Sequence, residues 1–381
     1  MPEKKARAPR ILHIISSGVI GGAEKCFLEM LEITRDLNYD TAAVCAGKGL
    51  LEQAARDVCG RVFTVAMADN ADLISLYKLF RIIKEYKPDL CHLHMNRATF
   101  IGAIAARLAG VKSLGSIQGE VRPLYARFPD YLTFCSINAA KHVRSRSLTV
   151  AKKPSFYLYN CVDCQRLKAE AENGGRGFIK KEFGVPENAF VVCQVARMHK
   201  NKGHKFLIEA IGENIARIPG LYCLMVGGGD EKYENLLRAQ AKELKISDRV
   251  IFCGTRLDVS KIVSGADLFV LPSLQEGIPI TIMEALCLKV PVAAFNVGGI
   301  YELCRDGQKT APYIELIACA NRPALSNKIY DVYRNYSLYK FNAEKASEFI
   351  VRRFGKDSYV SDLKAIYKCV LPPSPRKKTS L

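Results

Sequence analysis

The stretch LQEGIPITIMEA, residues 274–285, sets Glu276 and Glu284 eight positions apart around a proline and a run of aliphatics, in a chain whose formal charge is +18. A carboxylate accepts paired hydrogen bonds from neighbouring hydroxyls, as a sugar presents them. Pro279 suits the first turn of a helix, where its missing N–H is no loss. The N–H groups around Ile280 and Thr281, with Gly277 in the turn before them, then lie at the helix's positive end, where a phosphate belongs. One glutamate on each side of such a helix start can hold two sugars with a diphosphate between them. The ordinary alternative is a loop acid and a solvated helix acid. Against it stands the setting TIMEALCL, which flanks Glu284 with residues of buried type, so that the acid needs a partner.

Two cations occupy a comparable place upstream. VARMHKNKGHKFLIEA follows an apolar run and leads into a helical pattern, with Arg197 and Lys202 on the connection and Gly203 at the helix start. A guanidinium fork and a compact ammonium together can neutralise a diphosphate without a metal ion. Two exposed loop cations in a basic protein are an equal alternative for these residues taken alone. Gly227 opens the cluster GGGD after LMV, and Gly21 and Gly22 stand before a helical segment near the N-terminus. Each suits close backbone approach to a ligand, and each by itself is also compatible with a plain turn.

The elements that position these groups alternate in a βαβ manner. Apolar runs at 11–15, 41–46, 61–66, 89–93 and 113–117 read as buried parallel strands, with helices at 23–37, 73–86 and 97–109. A second series runs through 190–196, 222–227, 249–254, 267–272 and 290–295. Between them KAEAENGGRGFIKKEFG reads as a flexible connection, which puts the boundary near residues 163–176. The predicted architecture is α/β: two Rossmann-like, doubly wound domains facing across a cleft, over residues 1–165 and 176–352. A last helix over 353–370 and a basic, disordered tail over 371–381 complete it. Ligands in such sheets bind outside the carboxyl ends of the strands, which is where the motifs fall.

With 381 residues, 49% of them hydrophobic and 25% charged, the chain has the composition of an ordinary globular protein of two domains. No apolar run approaches a membrane span, and the N-terminal basic stretch precedes an apolar core too short for a secretory signal, so a cytoplasmic location is expected. The fourteen cysteines are spread along the chain, many within strand-like runs, and read as reduced, buried thiols. The single pair Cys161 and Cys164 lacks the companions of a zinc site, so no metal is expected there. The positive charge favours anionic partners, but no nucleic-acid-binding module is present, and a nucleic acid is not expected.

Taken in order, GGAE, YNCVD at 159–163, ARMHKNKG, MVGGGD, EGIPITIME and VPVAAFNVGGIYEL resemble the retaining glycosyltransferases of the GT-B fold often called family 4. The resemblance runs from about Ile11 to Val370. It implies a nucleoside-diphosphate sugar as donor, most simply a UDP-sugar, and no metal or other cofactor. Arg197 and Lys202 would bind the diphosphate and stabilise the leaving nucleotide. Glu276 would contact the transferred sugar and Glu284 the ribose. Gly22 would approach the phosphates from the first domain, Thr255 and Arg256 would lie near the base, and the last helix would cross back onto the first domain. His94 matches a family histidine on the acceptor side, although a satisfied strand-end histidine fits as well. Gln118 stands where the family usually has a histidine; it can hydrogen-bond a sugar hydroxyl but cannot titrate.

None of the motif residues is an obvious nucleophile, which favours front-face attack with retention, resting on positioning and charge. The family implies a glycan or lipid-linked acceptor, as in the synthesis of cell-envelope polysaccharide or lipopolysaccharide. VRPLYARFPDYLTF, 121–134, interleaves Arg122 and Arg127 with aromatics in a way that suits an anionic membrane surface and a peripheral location on the inner face of the membrane. Aromatics packed in the first domain's core are an equal alternative. Rival functions are a nucleotide-sugar epimerase or phosphorylase on this fold and a non-catalytic partner subunit.

Overall fold

The computed structural model describes every residue except 1–6, 19, 20, 70, 71, 120, 307, 308, 311, 312 and 373–381. The chain divides into two compact units, one of residues 1–160 with 359–381, the other of residues 161–358.

The first unit is built on a seven-stranded sheet of β1 (Arg10–Ile15), β2 (Asp40–Cys45), β3 (Val62–Thr64), β4 (Leu90–His94), β5 (Ser113–Ile117), β6 (Tyr131–Phe134) and β7 (Ser155–Tyr157). Its spatial order is β3-β2-β1-β4-β5-β6-β7, and every pairing is parallel. The helices α1 (Gly22–Asp36), α2 (Leu50–Cys59), α3 (Leu73–Tyr86) and α4 (Asn96–Ala109) connect the first five strands. Sequence shows why α3 starts where it does: the Asp72 carboxylate accepts the Ser75 N–H at 2.9 Å, satisfying one of the first-turn donors. Side chains alternate across the sheet, so Leu12, Ile14, Cys91 and Leu93 pack under α3 and α4, while Ile15, Cys45 and Phe27 of α1 form a core on the other face.

The second unit repeats the plan. Strands β8 (Phe190–Val195), β9 (Leu221–Val226), β10 (Val250–Gly254), β11 (Leu268–Leu271) and β12 (Val292–Phe295) pair in the order β10-β9-β8-β11-β12, with Glu315–Ile317 beyond β12, again all parallel. From Phe190 to Val332, one apolar core joins the helices His204–Asn214, Glu231–Glu243 and Arg322–Arg334 to one face of this sheet.

Three expectations change. The glycine-rich stretch is not a loose connection: it holds the helices Cys164–Glu170 and Arg176–Phe183 within the second unit, and Gly174 packs directly on the backbone of Lys261. Close packing is what its missing side chain permits. Two cysteines are not free thiols, because Cys164 and Cys287 form a disulfide across a Cα–Cα distance of 5.4 Å. The segment 121–134 is not one amphipathic surface; Phe134 and Leu132 are buried in β6, leaving only its first part exposed. The predicted tail lies, from residue 373 on, outside the described residues. Among the described residues no helix is long and apolar enough to cross a membrane.

Candidate active site

In a doubly wound sheet the strand order reverses at one point, and the loops leaving the two strands there diverge to open a crevice. In the second unit that point lies between β8 and β11. Arg197 and Lys202 follow β8, and Glu276 follows β11.

Lys202 ends a short 3-10 turn, Lys200–Lys202, and Gly203 continues it with φ +69°. A side chain at Gly203 would collide with the carbonyl oxygen of Pro272, just after β11. Glycine is therefore required both by the left-handed backbone and by the proximity of the two loops. The loops are also joined by the Leu274 N–H, which donates to the Asn201 carbonyl at 2.8 Å. Across this junction the Lys202 Nζ donates to Glu276 Oε1 at 2.6 Å, with the two side chains 22% and 9% exposed. So withdrawn a pair is screened less than a surface pair, and each charge holds the other in place. Behind Lys202, buried Gln194 of β8 donates from Nε2 to the Lys202 carbonyl at 2.8 Å, and its Oε1 has no partner among the described residues. Sequence reading passed over Gln194. The signal was a lone amide inside the apolar run FVVCQVA.

Glu276 is fixed from its other side by the loop after β12. Gly298 has φ +59° and lies against the Glu276 carbonyl, where any Cβ would clash, and the Gly299 N–H donates to the Gly277 carbonyl at 2.8 Å. The helix Ile280–Cys287 begins next. Pro279 is its N-cap (φ −75°, ψ 118°) rather than a first-turn residue, and makes no side-chain cap hydrogen bond. Glu284 lies half-buried in the middle of the helix, between buried Met283 and Ala285.

The loops after β8, β9 and β10 form a continuous backbone surface. The Met198 N–H donates to the Gly228 carbonyl at 2.9 Å, and the Gly227 N–H to the Gly254 carbonyl at 2.8 Å. Arg197 projects from this surface, exposed and without a partner among the described residues, and Thr255 is exposed beside Gly228. Arg256, which the resemblance would put near the base, is held by its own neighbours. Its guanidinium is taken by Asp258, at 2.8 and 2.7 Å, and by Glu182 at 2.7 Å.

Gly22, His94 and Gln118 belong to the first unit. Gly22 opens α1 and is exposed, and Gln118 is half-buried directly after β5. His94 does not face an acceptor: it is 2% exposed at the end of β4. Strand alternation places it with His92, and with His13 of β1, on the face covered by α1. His13 Nδ1 and His94 Nε2 are 3.2 Å apart, and Phe27 lies edge-on to both rings. The three rings bring nitrogens within 4.8 Å of one another, a spacing that a metal ion could bridge. Both nitrogens of His92 are engaged, however, by the Tyr367 hydroxyl at 2.9 Å and Ser116 Oγ at 2.8 Å. The cluster is a hydrogen-bonded polar layer. Burial pulls all three histidines below their usual pKa, His94 to about 3.

Two cations, a clamped carboxylate and a helix start with proline at its N-cap, at a sheet's reversal point, suit an anionic, hydroxyl-bearing ligand. Residues 175–349 match the family model of glycosyl transferases group 1. The chain carries a group 1 glycosyl transferase domain. That domain spans the whole constellation, from the helix Arg176–Phe183 past Glu284. The chain is similar to the UDP-Gal:alpha-D-GlcNAc-diphosphoundecaprenol alpha-1,3-galactosyltransferase of Escherichia coli, 27% identical over 76% of this chain and 80% of that protein. Its fold matches that of Anabaena Alr3699/HepE in complex with UDP-glucose, with TM-score 0.81 and 22% identity over 94% of this chain and 99% of that one. A glycosyltransferase from Rickettsia africae matches with TM-score 0.83 and 21% identity, over 96% of this chain and 100% of that one. The two parallel-sheet units are thus those of GT-B glycosyltransferases, and the glycosyl transferase domain is the one that holds the cations and both acids.

Proposed function

We propose that this glycosyltransferase moves a sugar from a UDP-sugar to a lipid-linked or cell-envelope glycan acceptor, with retention and without a metal ion. The observation that carries the reading is the Lys202–Glu276 pair at the sheet's reversal point, with the Arg197 guanidinium, unpaired among the described residues, on the adjoining loop. Lys202 and Arg197 are the cations that a pyrophosphate needs, and the fold already withdraws Lys202 from solvent. The N–H groups at Ile280 and Thr281 add the positive end of a helix. Glu276 accepts from hydroxyls of the transferred sugar, and Glu284 from the ribose. The acceptor oxygen bonds to the anomeric carbon on the face from which the phosphate leaves. The bond to the phosphate oxygen breaks, and that oxygen takes the acceptor's proton. A UDP donor and a lipid diphosphate acceptor are supported by the name of the E. coli relative.

Replacing Lys202 by Ala is expected to lower kcat by about 10²–10³ with folding intact, as removal of one oxyanion-stabilising donor does elsewhere. Arg197→Ala should behave alike, and EDTA should leave the rate unchanged. Steady-state kinetics with UDP-sugars and the anomeric coupling of the product by NMR check these outcomes. Full turnover in Lys202→Ala, or an inverted product, would refute the assignment.

A further inference from the structure

At the opposite edge of the first unit's sheet, where β5, β6 and β7 begin, a cavity of about 430 Å³ is lined by Arg107, Lys112, Arg127 and Lys153, with Phe128 and Asp130. The sequence brings these residues to one place through topology alone. Arg107 is in the last turn of α4, Lys112 directly precedes β5, Asp130 directly precedes β6, and Lys153 stands two residues before β7. Four cations surround one carboxylate, and that carboxylate is already committed. Asp130 Oδ2 accepts from Ser113 N–H at 3.0 Å and from Ser113 Oγ at 3.1 Å, and its Oδ1 accepts from Lys112 Nζ at 2.9 Å. Lys153 Nζ donates to the Pro129 carbonyl. The guanidiniums of Arg107 and Arg127 have no partner among the described residues. Burial pulls the Lys153 ammonium below its usual range; Asp130 opposes that shift and the neighbouring Arg107 adds to it. Like charges are thus crowded in a concavity in which Asp130 is the one carboxylate among the described lining residues.

We infer that this cavity binds a phosphate-class anion, a phosphate or diphosphate group held by the forks of Arg107 and Arg127. Guanidinium forks match phosphate oxygens two at a time, and Lys112 and Lys153 add charge without changing that geometry. Phe128, steadied edge-on by Phe100 with ring centroids 4.7 Å apart, gives the site an apolar wall. The site is independent of the donor-binding loops of the second unit and does not rest on their assignment. The anion can come from a soluble phosphate ester or from the headgroup of a phospholipid.

The test uses the full chain carrying Arg197→Ala and Lys202→Ala, so that the donor-site cations do not contribute. Inorganic pyrophosphate is titrated by calorimetry, and phosphatidylcholine vesicles with and without phosphatidylglycerol are used in sedimentation. Adding Arg107→Gln with Arg127→Gln should weaken binding of at least one probe by about tenfold or more. Both residues are exposed, and unpaired among the described residues, so thermal unfolding should not change. The pair Arg81→Gln with Lys84→Gln on α3 removes the same charge elsewhere and should leave binding intact. An effect confined to pyrophosphate assigns a soluble ligand, and one confined to phosphatidylglycerol vesicles assigns a headgroup. Absence of binding to both probes, or an equal loss from both pairs of substitutions, overturns the inference.

Discussion

The two units share one strand order and spend their polar residues in opposite ways. In the first, His13, His92, His94, Ser116 and Thr133 lie on the strands themselves, hidden under helices and hydrogen-bonded to one another and to Tyr367. In the second, Gln194 is the only fully buried polar side chain on β8, β9, β11 or β12 among the described residues, and the charged groups stand on loops that glycines bring together. A polar layer inside a sheet stabilises and specifies packing; polar groups at strand ends remain reachable by a ligand. The same topology therefore serves as a scaffold in one unit and as a binding face in the other.

Acidification should separate the two most strongly. The folded pKa values of His13, His92 and His94 are depressed by burial, so the unfolded chain binds protons that the folded unit refuses. The stability they contribute is complete above the unfolded value near 6.5 and is lost as pH falls from there toward about 3, where His94 titrates in the fold. With three protons taken up on unfolding, the slope reaches about 4 kcal/mol per pH unit. The second unit has one such residue, His204, lowered to about 4 chiefly by burial and further by Lys202. Hydrogen exchange followed by mass spectrometry at pH 7 and 5 should show the first unit losing protection first. Equal loss in both units would remove the contrast.

Reduction should act the other way. The Cys164–Cys287 bridge closes a span of 123 residues within the second unit, and Cys287→Ser is expected to cost about 2–4 kcal/mol there without affecting the first. Thermal unfolding with and without reductant, read by the same exchange peptides, measures it. Next in size, Gly298→Ala forces a Cβ into the Glu276 carbonyl from a left-handed backbone. It should cost about 1–3 kcal/mol and also reduce donor binding, because Glu276 must move. Denaturant unfolding and UDP titration check both parts. The smallest effect is expected from Tyr367→Phe, which removes the hydroxyl bonded to His92 Nδ1 at 2.9 Å. About 1 kcal/mol should be lost from the first unit, with UDP affinity unchanged; a change in that affinity would show that the polar layer does more than hold the fold.

Much of this was legible before any coordinates. Apolar runs located β1, β2, β4, β5 and β8 to β12, since strands buried on both faces are largely apolar. The edge strand β7 and its neighbour β6 were missed because their runs, SFY and YLTF, mix polar with apolar residues and carry little periodic signal. Of the site, the types and order of Arg197, Lys202, Glu276 and Glu284 were readable as local motifs.

What the amino-acid order determined by itself was local: the periods that make strands and helices, the glycines that turn them, and the charges placed at their ends. Tertiary structure alone decided which of those charges meet. It set Lys202 against Glu276 across 74 positions of sequence, tied Arg256 to Glu182 and Asp258, and enclosed His94 instead of exposing it. The reason is physical: periodicity records only the environment of neighbours along the chain. Whether a polar side chain reaches water, a partner or a ligand depends on which distant strand the fold lays beside it.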